Sequence, residues 1–226
     1  MTYREDFIKR LIAQFFQVFH KMLGLIETTE LDNAQDIIED LREEFVGLSP
    51  HLIDTLSPED LISMLTVAED PALTKPLILS ELLRAQGDLD EAKEEPDNAF
   101  QRRLKALQLK LMVAEMSESP DFPEPFTPVD RHADQLEEYL LPPETSAALF
   151  AYYESSGQYA RAEEKLFDLI EDSPEPAEMV AAGLRFVERL RQKTAEQLAA
   201  GELTPSDIDD IQSELLESTD DPKGEQ

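Results

Sequence analysis

The chain of 226 residues contains no cysteine. That excludes disulfides, thiolate catalysis and cysteine-ligated zinc. Tryptophan is absent too, there are only 7 glycines, and no run of alternating β-branched residues occurs. Leu, Ala, Glu and Gln recur instead, all good helix formers, so the composition predicts an all-α protein. No apolar run reaches about 18 residues, so no transmembrane helix is expected. The N-terminus carries Arg4, Glu5 and Asp6, then an apolar stretch broken by Gln14, Gln17 and His20. That is a poor signal peptide, and a cytoplasmic location is the expectation.

Positive charge is scarce. Lys and Arg number 20 against 50 Asp and Glu, for a net charge of −30. Such a surface repels phosphate backbones and anionic lipid, so neither nucleic acid nor membrane is expected as a partner. The acidity runs along the whole chain, which reads as a solvated surface and not as one recruiting block.

Chemistry also lacks its usual carriers. His20, His51 and His132 are far apart and show no metal-ligand spacing. Asp88-x-Asp90 and Asp207-x-Asp209 lack the glycine and spacing of a calcium loop. Carboxylate pairs such as Glu43/Glu44 and Asp209/Asp210 are expected at this composition. There is no glycine-rich phosphate loop, nucleophile elbow or dinucleotide fingerprint. We therefore expect a non-enzymatic protein with no catalytic, cofactor or metal site.

What is present is helical periodicity in a 41% hydrophobic chain. Phe7, Leu11, Phe15, Val18, Met22 and Ile26 predict a first helix over about 4–26. It is locally basic through Arg4, Lys9, Arg10 and Lys21. Further helices are expected at about 32–45, after the Ser57-Pro58 start, at 76–85 ending at Gly87, and at 97–116. Residues 117–130 carry four prolines and read as an extended internal linker in which Phe122 and Phe126 pack. After it come helices to about 140, at 143–155 and 159–171, a long one from Pro174 to about Ala200, and a last one from the capped start Thr204-Pro205-Ser206-Asp207 to about 216. Breaks are expected at Asp70-Pro71 and at Gly201. The domain is expected to span 1–217, with 218–226 a disordered acidic tail.

The most informative stretch is Leu149, Tyr153, Gly157, Tyr159, Ala162, Leu166, Leu169 and Pro174. It resembles one tetratricopeptide helix–turn–helix unit, and Leu79, Leu83, Gly87, Leu89 and Ala92 resemble an earlier copy. The pattern departs from that family at Ser146, Phe150 and Leu169. The resemblance implies antiparallel helical hairpins in a right-handed superhelical array of about eight or nine helices. It also implies a groove lined by the first helix of each pair, with Glu81, Arg84, Glu144, Ala151 and Glu154 as candidate partner-binding residues.

Two basic stripes interrupt the acidity. One is Arg102, Arg103, Lys105 and Lys110. The other, Arg185, Arg189 and Lys193, recurs every four residues and is expected to pair with Glu188 and Glu196 or to receive an acidic peptide.

The whole chain further resembles an uncharacterised bacterial helical family of unknown function. The likeness lies in the order of short motifs, among them Leu56-Ser57-Pro58-Glu59-Asp60-Leu61, Glu81-Leu82-Leu83 and Arg185-Phe186-Val187-Glu188-Arg189-Leu190.

The expected function is an interaction scaffold that binds a protein or peptide in a helical groove. The alternatives are a homodimer formed through the apolar first helix and an acidic-site metal binder or enzyme.

Overall fold

A computed structural model describes residues 3–66, 73–117, 122, 124–173 and 176–220. The expected break at Asp70-Pro71, Pro174, linker positions 118–121 and 123, and the tail from 221 lie outside the described residues. The described residues form twelve α-helices and no strand. The chain divides into two compact units, Met1–Tyr139 and Leu140–Gln226. The boundary lies beyond the proline-rich segment expected to act as a linker.

The N-terminal unit opens with α1 (Tyr3–Glu27) and α2 (Leu31–Leu41), the latter extended by a π-helical turn at Arg42–Val46. Gly47 closes that turn in the left-handed conformation, φ +78°. Two short helices follow, α3 (Pro50–Thr55) and α4 (Pro58–Leu65). Both start alike. Ser49 accepts a hydrogen bond from the Leu52 amide (3.4 Å) and Ser57 one from the Asp60 amide (3.2 Å), with proline in each first turn. The Ser57-Pro58 start matches the expectation, and the same signature recurs at Ser49-Pro50, where no helix is expected from the sequence.

Helices α5 (Thr74–Ala92) and α6 (Pro96–Met116) form the main hairpin, and α7 (Val129–Asp134) packs on α6. Here the second copy of the repeat fails. Gly87 is buried inside α5, and the turn comes at Lys93–Glu95, with Glu94 at φ 63°. A Cβ on Gly87 would lie 2.7 Å from Arg103 Cγ and 3.1 Å from the Ala99 carbonyl oxygen. This glycine serves close helix approach, not a turn. Pro96, one residue before the expected helix start at 97, sits in the first turn of α6, where its missing N–H costs nothing.

The core of this unit gathers Phe15, Phe16, Phe19, Met22, Phe45, Leu61 and Leu77. Phe126 joins it edge-on to Phe16 at 5.1 Å. The proline-rich segment is thus anchored in the core at Phe126.

In the C-terminal unit, α8 (Pro143–Ser156) and α9 (Tyr159–Asp172) form the expected hairpin. Gly157 turns the chain at φ +80°. Tyr153 and Tyr159 are both buried. Phe150, where a tetratricopeptide unit carries a small residue, meets Phe186 of α10 (Pro176–Leu190) edge-on at 5.3 Å.

The long helix expected up to Ala200 instead ends at Leu190 and restarts as α11 (Ala195–Ala200). Thr194 and Gln197 form a reciprocal capping box there, a four-residue signature that the apolar periodicity overshadowed. Finally α12 (Pro205–Asp220) starts on the expected Thr204/Asp207 cap, and it continues into the stretch expected to be disordered from 218. The count exceeds the expected eight or nine in part because α3 matches no expected helix and the long helix expected up to Ala200 is two, α10 and α11.

Candidate functional site

Within the N-terminal unit, three helices bring a carboxylate, an ammonium and an imidazole together. Glu81 of α5 and Lys110 of α6 are both fully buried, and His132 of α7 is 1% exposed. Lys110 Nζ donates to Glu81 Oε1 at 2.6 Å, lies 3.0 Å from His132 Nε2 and donates to the Thr127 carbonyl. An ammonium has three N–H groups, so all are used. The network therefore assigns Nε2 of a neutral His132 as acceptor and places the ring proton on Nδ1.

Glu81 is equally saturated. Thr127 donates its amide to Oε1 (2.8 Å) and its hydroxyl to Oε2 (2.7 Å), and Arg84 Nε lies 3.5 Å from Oε2. The cluster fastens the segment around Thr127 onto α5 and α6.

The protonation states follow from burial and charge. Burial pushes the Glu81 carboxyl up, but the Lys110 ammonium bonded to it outweighs that cost and holds the group well below the usual carboxylate range. Burial pulls Lys110 down to about 8, with Glu81 offsetting part of the shift. Burial, reinforced by the Lys110 charge, takes His132 down to about 4.

Stability then depends on acid. The unfolded chain takes up a proton at His132 near its ordinary value of 6.5, while the folded chain resists to about 4. The contribution of His132, on the order of 3 kcal/mol, is complete above pH 6.5 and is lost as the pH falls toward 4. Glu81 adds to the same limb below its ordinary value of 4.5. Urea titrations from pH 7 to 4.5 will show this slope, and His132→Gln will flatten it. A flat wild-type profile would contradict the assignment.

The residues expected to line a groove divide sharply. Glu81 is a core residue, because its carboxylate is the counter-charge of Lys110. Arg84 is spent internally on Asp88 (3.0 Å) and Glu81. Glu154 of α8 is held by Arg189 of α10 in a two-pronged pair at 2.5 and 2.7 Å. One candidate groove residue thus neutralises one candidate stripe residue. Only Glu144 and Ala151 are exposed and without such a bond, both on α8.

The second basic stripe does not form one face. Arg185 and Arg189 lie on α10, but Lys193 falls in the turn beyond it, 5.8 Å from the centre of the Tyr159 ring. Arg189 pairs with Glu154 and not with Glu188 or Glu196.

The first stripe is consumed within its unit. Arg102 pairs with Asp90 (2.7 Å) and Arg103 with Asp88 (3.0 Å). Lys105 donates to the carbonyls of Ile53, Asp54 and Leu56 at the end of α3, satisfying a helix C-terminus. No motif points to the Glu81–Lys110–His132 cluster, since its members are distant in sequence and only helix packing unites them.

A shallow depression among α2, α3, α5 and α6, lined by Ile38, Ile53, Leu83, Arg42 and Arg102, encloses about 20 Å³. That is room for one water. Among the described residues, no three His, Asp or Glu side chains converge as a metal site, and no helix is long and apolar enough to cross a membrane.

No curated protein and no solved structure matches this chain. A family model does match, over residues 2–218, nearly the whole length. The chain therefore belongs to the Family of unknown function (DUF6483).

Proposed function

We propose that this protein is a non-enzymatic interaction scaffold whose binding face for a protein or peptide is the outer surface of α8. One observation carries the reading. On α8, Glu144, Ala148, Ala151 and Ser155 recur at helical spacing and are exposed, while Thr145, Leu149, Tyr152 and Tyr153 are buried beneath them. Small exposed side chains on the first helix of a hairpin let a partner's backbone approach closely, the use that tetratricopeptide-like hairpins make of this helix. The left-handed turn at Gly157 supports the same likeness. The solvent-free burial of the Glu81–Lys110–His132 cluster favours a structural role for it, since a general base must reach its substrate.

Capture from native cell extract tests this, with Ala148→Arg/Ala151→Arg as the comparison. A protein retained by the wild type and lost by the variant is expected. Identical retention by both would remove α8 as the binding face.

A further inference from the structure

The polar bonds that hold segment 124–128 and α7 onto α5 and α6 converge on two side chains. Thr127 donates its amide and its hydroxyl to Glu81. Its carbonyl and His132 Nε2 both accept from Lys110. The same ammonium sits over the Phe122 ring, 5.4 Å from its centre. Outside the cluster, Phe126 meets Phe16 edge-on at 5.1 Å, and Gln135, just past α7, donates to Asp88 at 2.9 Å.

His132 is the weak member. Its Nδ1 is buried and, among the described residues, meets no hydrogen-bond partner. The bond that Nε2 accepts from Lys110 at 3.0 Å therefore fastens the ring by itself. A buried N–H without a partner carries a cost that contact with water removes. Of the elements packed around the ring, α6 presents Lys110, α5 presents Glu81 and Arg84, and the segment presents the uncharged Thr127. A second proton on the ring would set two donors against each other at 3.0 Å and add a third cation beside Lys110 and Arg84. Glu81 Oε1 lies 3.8 Å from Nε2 and already accepts from Lys110 and the Thr127 amide. Pairing with the imidazolium would cost it one of those bonds.

We infer that segment 124–128 and α7 form a latch that opens when His132 is protonated, before the α5–α6 hairpin unfolds, and that opening uncovers the seat of Phe126 on Phe16. The hairpin has its own support. Helices α5 and α6 pack on each other and bury Leu77, Leu89, Ala106 and Leu109 in the core, whereas α7 is six residues long. Short segments with few apolar contacts open at lower free energy than the helices beneath them. Closed, the ring resists protonation to about 4; open, it titrates near its ordinary 6.5. The latch holds in full above pH 6.5 and loosens as the pH falls toward 4.

Amide hydrogen exchange of the full chain, read by NMR at pH 7, 6 and 5 and corrected for intrinsic exchange, tests this. The Thr127 amide is expected to lose about 20-fold in protection between pH 7 and 5. At each pH it should exchange at least about tenfold faster than the buried Leu107 amide of α6. About 1 M urea should speed Leu107 and leave Thr127 nearly unchanged, because a local opening exposes little surface. His132→Gln offers Lys110 an acceptor that does not titrate, so Thr127 protection should then be nearly the same at pH 7 and 5. If that variant does not fold, the wild-type comparison of Thr127 with Leu107 still decides. Equal protection and equal urea response at the two amides would overturn the latch in favour of unfolding of the whole unit. So would Thr127 protection that does not change between pH 7 and 5, or an undiminished acid response in His132→Gln, which would move the trigger to another group.

Discussion

Lys110→Met will destabilise the N-terminal unit by about 3–5 kcal/mol, the range for breaking a buried ion pair by removing one partner. The reason is what remains. Glu81 stays fully buried with its charge, keeping Thr127 as donor but losing the ammonium at 2.6 Å. The Thr127 carbonyl and His132 Nε2 lose their donor at the same time. Each orphaned polar group carries a desolvation cost larger than the net value of the bond it lost.

Glu81→Gln should cost less than Lys110→Met, because an amide still accepts from Thr127. The double variant Glu81→Gln/Lys110→Met should recover much of the loss, since no unpaired buried charge is left. Urea denaturation followed by circular dichroism, closed into a double-mutant cycle, gives the coupling directly. A Lys110→Met variant within about 1 kcal/mol of wild type would show that the pair does not hold the segment around Thr127 in place.

Phe15→Glu will abolish the cooperative folding of the same unit. The first-helix stripe alone offers Phe15 as a dimer contact, and a soluble folded monomer would then be expected from this substitution. The structure corrects that expectation. Phe15 is fully buried, with its ring 5.0 Å from Phe16, 5.1 Å from Phe19 and 5.5 Å from Phe45. Emptying such a site costs about 3–5 kcal/mol, and a carboxylate placed there adds the cost of burying an unpaired charge. The total rivals the whole stability of a domain, about 5–15 kcal/mol.

Phe7→Glu, on the same helix about two turns before Phe15 but 56% exposed, should move stability by no more than about 0.5 kcal/mol. A wild-type urea transition in Phe15→Glu would refute the core assignment.

The same contrast explains how far the candidate site was legible. Caps were read where a side chain acts on its own neighbours, as at Ser57 and at Thr204/Asp207. The turn at Gly157 was read because a glycine between two helical patterns meets a purely local need. Gly87 looked identical in sequence and proved to be a packing glycine, because its constraint comes from Arg103 and Ala99 on another helix. Glu81 was placed in a groove for the same reason. Its helical position was visible, but its partners Lys110, Thr127 and His132 belong to later segments.

Composition and local pattern by themselves determined an all-helical chain, most helix starts, the α8–α9 hairpin and the amphipathic first helix. Those properties follow from period, propensity and capping, which act within a few residues. Tertiary structure alone decided which of two similar glycines turns the chain and which phenylalanines of α1 are core. It also decided that Lys110 is buried against Glu81 while Lys9 and Lys21 remain in solvent. Burial and pairing depend on what arrives from elsewhere in the chain, and a side chain's chemistry is set by that company.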